Sequence, residues 1–98
     1  MYMKIHRAPD GTILVAACDR ELLNTMLMHG DLEVRISEGF YGNREANEEE
    51  LKAALADADT INLMGRKVVS LATRMGLVSE NGCMIIGNVP HAQVYRIG

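Results

Sequence analysis

The alternation of apolar and polar residues predicts that the chain begins with a hairpin of two strands. Residues 2–8 alternate, with Met3 and Ile5 on one side, which is typical of a half-buried strand. Residues 9–12 contain Pro, Asp and Gly, which favour a tight turn. Residues 12–18 are almost entirely apolar, as expected of a central strand whose two faces are both buried. The polar side of the first strand carries Tyr2, Lys4 and His6.

A helix is predicted over residues 20–29, where apolar residues recur at helical spacing. Asp19 is a suitable N-cap residue, and Gly30 fits the position that closes a helix. The alternation in residues 32–36 then predicts a third strand. Residues 37–43 contain two aromatic residues between glycines and are interpreted as a loop.

Two helices are predicted in the middle of the chain. Asn47 and Glu50 have the spacing of a capping box, which predicts a short acidic helix over residues 48–57. A longer helix is predicted over residues 60–75, with residue 59 or 60 as its cap. Because the apolar stripes of the two segments are almost continuous, a single kinked helix is an alternative.

The chain ends in a second predicted hairpin. Residues 83–86 and 91–97 have strand character, and residues 87–90 would join them. The order of elements is then ββαβααββ, which predicts an α+β protein with about five strands and helices packed on one face. A chain of 98 residues has room for one core, so residues 1–98 are predicted to form a single domain.

Several short segments together resemble those of a known family. They are residues 2–6, 17–19, 21–23, 37–42, 62–65 and 87–93. Their order and spacing, over nearly the whole chain, are similar to those of the archaeal family called domain of unknown function 424. The resemblance implies an archaeal cytoplasmic protein with a compact α+β fold. It implies no established activity and no catalytic residue.

The composition is ordinary for a globular protein, with 48% hydrophobic and 23% charged residues. The N-terminus has no signal-peptide pattern, and the longest apolar run, residues 13–18, is far too short to span a membrane. Two cysteines do not make a disulfide framework, which favours a reducing compartment. We therefore expect a cytoplasmic protein without a membrane partner. Cys18 and Cys83 lie in apolar runs and are expected to be buried and reduced.

The net charge of −3 is unevenly distributed along the chain. Residues 45–59 contain six acidic residues and one lysine, whereas residues 60–98 contain four basic residues and one acidic residue. A polyanionic partner would therefore have to bind one face of the molecule. Arg66 and Lys67 follow a glycine but lack the upstream glycine of a P-loop, so a solvated helix face is the default interpretation.

Catalytic and metal-binding signatures are absent from the sequence. The histidines and cysteines do not have CxxC, HxxxH or HxH spacing, so no metal site is predicted. Both cysteines lie in apolar runs, where thiols are usually unreactive, which disfavours a Cys–His catalytic pair. The sequence therefore favours a non-catalytic protein without a cofactor, and an enzyme is only a third hypothesis.

The first and last predicted strands carry polar and aromatic side chains that suit RNA binding. Those on the first strand are Tyr2, Lys4 and His6, and those on the last are His91, Gln93 and Tyr95. If these six residues share an exposed sheet face, their rings could stack on bases and their polar groups could bind base edges. Strand alternation alone also produces such rows, so a merely solvated face is the alternative.

Two functions from different classes are thus predicted. The first is an accessory module that binds RNA or a ribonucleoprotein through the sheet face, assisted by Arg66 and Lys67. The second is a protein-interaction or oligomerisation module, in which Phe40, Tyr41 and the acidic helix contact a partner. Two aromatic side chains between glycines are costly to leave in water. We therefore expect residues 39–42 either to plug the core or to meet a partner.

Overall fold

A computed structural model of the protein describes residues 1–79 and 82–96 and confirms the α+β class. Within that part of the chain there are more strands than the five predicted. They are β1 (Tyr2–Arg7), β2 (Ile13–Cys18), β3 (Met26–His29), β4 (Leu32–Arg35), β5 (Arg44–Glu45), β6 (Thr60–Met64), β7 (Cys83–Ile86) and β8 (Val89–Tyr95). The α-helices are α1 (Glu38–Tyr41), α2 (Glu48–Asp57) and α3 (Arg66–Arg74), and a 3₁₀ turn covers Arg20–Leu22.

Six of these strands form one mixed sheet in the order β5-β1-β2-β6-β8-β7. Its two central strands, β2 and β6, are parallel, and every other neighbouring pair is antiparallel. The two predicted hairpins are confirmed as β1–β2 and β7–β8. In the first turn, the Thr12 N–H donates to the Asp10 carboxylate at 2.9 Å. In the second, Gly87 and Asn88 have φ of 52° and 72°, the left-handed pair that a two-residue hairpin turn requires.

Helices α2 and α3 pack on one face of the sheet, where the larger core lies. Val15 and Ile61 from the central strands are fully buried there, together with Leu51 and Leu55 of α2 and Leu71 of α3. The opposite face is covered by residues that precede β5. Its buried residues are Ala16, Cys18, Ile36, Tyr41 and Met64. Both faces of β2 are therefore buried, as its nearly continuous apolar sequence predicts.

The helix predicted over residues 20–29 is wrong. After the 3₁₀ turn, Asn24 adopts a φ of 65°, which no helix accommodates. The chain then enters β3, which pairs with β4 in a separate two-stranded sheet. The strand predicted at 32–36 is thus half of this hairpin, outside the main sheet. Residues 26–35 form a hairpin because Leu27 and Val34 are on the same side and pack against the second core.

The helix predicted over residues 60–75 is wrong for residues 60–65. The alternative of one kinked helix over both segments is also wrong. Residues 60–64 form β6, parallel to β2, and the helix begins only at Arg66. Gly65 separates β6 from α3, and its φ of 124° lies outside the helical region. The apolar residues of β6 are buried on both sides of the sheet, so their sequence fits either periodicity.

The acidic helix is confirmed as α2, and its capping box is formed by Asn47 and Glu50. The predicted loop at 37–43 instead contains the single-turn helix α1, capped by the Ser37 hydroxyl. The last strand begins two residues earlier than predicted, at Val89, and residue 97 lies outside the described residues.

Candidate functional site

The six residues predicted to form an RNA-binding surface do share one face of the main sheet. In the strand register, Tyr2, Lys4 and His6 lie opposite residues 18, 16 and 14 of β2. Likewise, His91, Gln93 and Tyr95 lie opposite residues 64, 62 and 60 of β6. Since β2 and β6 pair in phase, all six belong to the same side. However, β2 and β6 separate the two rows by three strand spacings, or about 14 Å.

Helix α1 lies over the space between the two rows. The Tyr41 side chain is buried, and its hydroxyl donates to Asn62 Oδ1 in the middle of β6 at 2.7 Å. Burial raises the pKa of the Tyr41 hydroxyl well above its usual value. The Asn62 side-chain oxygen at the centre of the face is therefore hydrogen-bonded within the protein and is not available to a ligand.

The same helix uses the polar groups of β1. Lys4 Nζ donates to the Gly39 carbonyl at 2.9 Å, and His6 Nε2 lies 2.8 Å from the Phe40 carbonyl oxygen. The His6 ring stacks on the Phe40 ring, with centroids 5.2 Å apart. Phe40 is half-buried and packs against the second core. The six residues therefore do not form one contiguous exposed surface. Residues 39–42 instead cover the second core with the side chains of Phe40 and Tyr41.

The row on β8 is only partly available. His91 Nδ1 is 2.9 Å from the Leu63 carbonyl oxygen, so its ring is held against the neighbouring strand. Gln93 is exposed, and Tyr95 is 68% exposed. With Lys4, which is exposed although its amine is bonded to α1, these two side chains are the part of the predicted surface that remains open to solvent.

The remaining predicted binding residues, Arg66 and Lys67, line a groove beside α3. This cavity of about 380 Å³ is also lined by Glu48, Ser70 and Arg74. Arg74 pairs with Glu48 at 2.9 Å. Among residues 1–79 and 82–96, the charged side-chain groups of Arg66 and Lys67 form no ion pair with a carboxylate within 4.0 Å. The groove therefore offers two solvent-exposed cations.

Two backbone N–H groups in the first turn of α3 are already bonded within the protein. The Asp19 carboxylate, only 3% exposed, accepts hydrogen bonds from the backbone N–H groups of Lys67 and Val68 at 3.0–3.1 Å. Asp19 was expected to cap a helix directly after it, and it instead caps a helix distant in sequence. The positive end of that helix is already neutralised by an internal anion.

Exposed apolar side chains that the sequence does not predict lie on β3, β4 and β7. Most of the exposed large hydrophobic side chains of the described residues belong to β3, β4 and β7, and these are 45–63% exposed. They are Met26, Met28, Leu32, Met84 and Ile85, and we call this set the apolar surface. Met26 and Met28 share the outer side of the hairpin, whereas Leu32 lies on the other side of the hairpin, and Met84 and Ile85 lie on opposite sides of the main sheet. Strands β3 and β7 contact each other, and the Met28 backbone approaches Gly87 so closely that a side chain there would collide with it.

A sequence signal for part of this surface exists. Residues 26–29 and 32–35 flank Gly30 and Asp31, and a two-residue Gly-Asp turn is typical of a hairpin. Leu27 and Val34 face the core, which leaves Met26 and Met28 on the outer side of the hairpin. The helical spacing of neighbouring leucines obscured this alternation.

The two cysteines differ in environment. Cys18 is fully buried, and burial raises its pKa to about 11. Cys83 is only half-buried, so the prediction that both thiols are buried is wrong for Cys83. Its strand lies at the edge of the main sheet, and among the described residues no strand is hydrogen-bonded to its outer side.

Residues 1–79 and 82–96 contain no group of three or more His, Cys, Asp or Glu side chains placed to hold a metal ion. In the same part of the chain, no helix combines the length and apolar character needed to cross a bilayer.

Comparison with known proteins places the chain in a family. No curated protein matches it. A solved structure, the crystal structure of an uncharacterised conserved protein from Methanopyrus kandleri, is 28% identical and superposes with a TM-score of 0.78. The match covers 99% of this chain and 94% of that one. The model of a family described as protein of unknown function (DUF424) matches residues 6–97. The chain therefore belongs to the DUF424 family of proteins of unknown function.

Proposed function

We propose that this protein is a non-catalytic interaction module that docks a protein partner on the apolar surface of β3, β4 and β7. The observation that carries the proposal is the exposure of five large apolar side chains on neighbouring strands. Large apolar side chains that stay exposed on adjoining strands are candidates for an interaction site. Methionine is especially suited to this role, because its flexible thioether adapts to different partner shapes. Three of the five residues are methionines.

The surroundings of the apolar surface support the same conclusion. The outer side of the hairpin also carries Glu33 and Arg35, paired with Met28 and Met26 across the two strands. Apolar side chains bordered by charged ones are typical of a protein-binding surface. The site differs from the one predicted from sequence, because Tyr41 is used internally and the capping box occupies two polar side chains of the acidic helix.

Site-specific photo-cross-linking in native cells tests the proposal. A photo-reactive amino acid at position 28 or 84 is expected to give discrete cross-linked protein bands. The same amino acid at Ala53, an exposed position on α2, is the matched control and is expected to give none. The proposal is rejected if positions 28 and 84 give no more cross-linking than position 53.

RNA binding is a second candidate, favoured by the groove beside α3. Arg66 and Lys67 are exposed there and have no carboxylate partner among the described residues. Cations free of acidic partners are the groups that contact phosphates. On the sheet face itself, Gln93 and Tyr95 are exposed and Lys4 is exposed but bonded to α1, which covers the centre of the face.

Titration of RNA oligonucleotides at several salt concentrations tests this second candidate. Arg66→Ala and Lys67→Ala should each weaken binding and reduce its salt dependence, because each removes about one phosphate contact. Arg7→Ala, an exposed arginine on β1, is the control and should change neither quantity by as much. Equal effects of all three substitutions would indicate non-specific attraction and remove the groove from consideration.

A further inference from the structure

We infer that the partner at the apolar surface is a second copy of this chain, joined by antiparallel pairing of β7 with β7. This inference rests on the proposed function and identifies the protein partner as a second copy of the chain. Within the described residues, the outer side of β7 pairs with no strand. Its backbone donors and acceptors can therefore extend the sheet into another chain. The product is a two-fold dimer in which one sheet runs through both copies.

The two edges of the main sheet differ, and the difference favours pairing of β7, and not of β1, with a second copy. At the opposite edge, β1 is partly covered by the two-residue strand β5, and the uncovered part carries Lys4 and Arg7. Short strands and charged side chains are the usual means of preventing edge pairing. Strand β7, with the sequence Cys-Met-Ile-Ile, has neither a charge nor a proline. One edge is thus protected against association, and the other is not.

The register of such a pair buries the exposed residues of β7. Opposite residues of an antiparallel pair lie on the same side of the sheet. A two-fold axis perpendicular to the sheet can therefore place Ile85 opposite Ile85 of the second copy, with Met84 opposite Ile86. Met84 and Ile85 are 60% and 55% exposed in the single chain, and they lie on opposite sides of the sheet. Pairing would cover both at once, which packing on one face would not.

Charge distribution is compatible with self-association at this edge. The most acidic segment, residues 45–59, begins in β5 at the far edge and continues into α2, which packs against β2 and α3. Two copies joined through β7 keep these segments apart. Like charges that face each other across an interface oppose association, and β7 places none there.

Sedimentation velocity of the purified protein over a wide concentration range tests the inference. The wild-type chain is expected to dimerise as concentration rises, and Ile85→Lys should remain monomeric with an unchanged urea midpoint. Ile5→Lys places the same charge on an exposed isoleucine of the other edge and should still dimerise. If Ile85→Lys does not fold, Met84→Lys serves the same purpose.

The inference is overturned if the wild-type chain stays monomeric at every concentration, or if Ile85→Lys and Met84→Lys dimerise as well as the wild type. Its failure is distinguishable from failure of the proposed function. A monomeric chain that cross-links to a different protein through positions 28 and 84 removes the dimer and leaves the docking surface. A monomeric chain without any cross-link at these positions removes both.

Discussion

The carboxylate of Asp19 occupies the space in which a side chain at Gly65 would have to lie. Asp19 follows β2 and Gly65 follows β6, so the two residues meet where the parallel central strands end. The carboxylate reaches across Gly65 to accept the N–H groups of Lys67 and Val68. This contact fixes the start of α3 against the sheet, and it positions Arg66 and Lys67 at the groove beside that helix.

Replacement of Gly65 by alanine should destabilise the protein strongly. The Cβ would displace the Asp19 carboxylate, and the φ of 124° would be strained for any residue with a side chain. Loss of the cap and backbone strain together should lower the free energy of unfolding by about 3 kcal/mol. Gly76→Ala is the control: Gly76 has a φ of 78° but no atom within 4 Å of the added carbon, so about 1 kcal/mol is expected. Urea denaturation of both variants measures the difference, and equal losses would contradict the role of Asp19.

Tyr41→Phe should cost stability through one hydrogen bond. The substitution keeps the ring in the second core but removes the donor to Asn62 Oδ1, leaving that acceptor without its partner. We expect the free energy of unfolding to fall by about 1–2 kcal/mol. Tyr95→Phe, at a residue that is 68% exposed, should leave it unchanged. Chemical denaturation provides the measurement, and a Tyr41→Phe variant as stable as the wild type would show that α1 does not depend on this bond.

Stability should decrease at alkaline pH because Cys18 is buried. Burial raises the pKa of its thiol from 9.0, the ordinary value in water, to about 11 in the folded protein. The unfolded chain therefore loses this proton first, and the free energy of unfolding should fall between these two pH values. Tyr41 contributes in the same direction, since its pKa is also raised. Urea titrations from neutral pH to pH 11 should show a smaller fall for Cys18→Ala than for the wild type. An identical pH dependence in both proteins would contradict this assignment.

Thiol labelling should distinguish the two cysteines. Cys83 is half-buried on an edge strand, whereas Cys18 is fully buried and its pKa is raised. A thiol reagent should therefore modify Cys83 rapidly in dilute native protein and Cys18 only slowly, because reaction requires the thiolate. Cys83→Ser should abolish the rapid phase, and Cys18→Ser should retain it. If β7 forms the dimer contact, the rapid phase should also slow as protein concentration increases.

Elements whose signals lie within a few neighbouring residues were predictable from the sequence. The turn at Asp10, the capping box of Asn47 and Glu50, and the final hairpin all involve hydrogen bonds or dihedral angles of adjacent residues. The shared face of Tyr2, Lys4, His6, His91, Gln93 and Tyr95 was also predictable, because strand alternation places every second residue on the same side.

Elements that depend on distant partners were not predictable. The apolar residues of β6 fit a helix as well as a strand, and pairing with β2, more than forty residues earlier, and with β8, more than twenty residues later, selects the strand. Asp19 caps a helix that begins 47 residues later, so its local context suggested the wrong helix. The position of α1 over the sheet face was likewise invisible in the local pattern.

The sequence by itself determined the α+β class, both terminal hairpins, α2 and which residues of β1 and β8 share a sheet face. The tertiary structure decided that α1 covers the sheet face shared by β1 and β8. The centre of the predicted RNA-binding surface is therefore occupied by the buried Tyr41 side chain. The tertiary structure also left the apolar side chains of β3, β4 and β7 exposed. The physical reason is that turns and caps are local, whereas burial depends on which distant segments pack together.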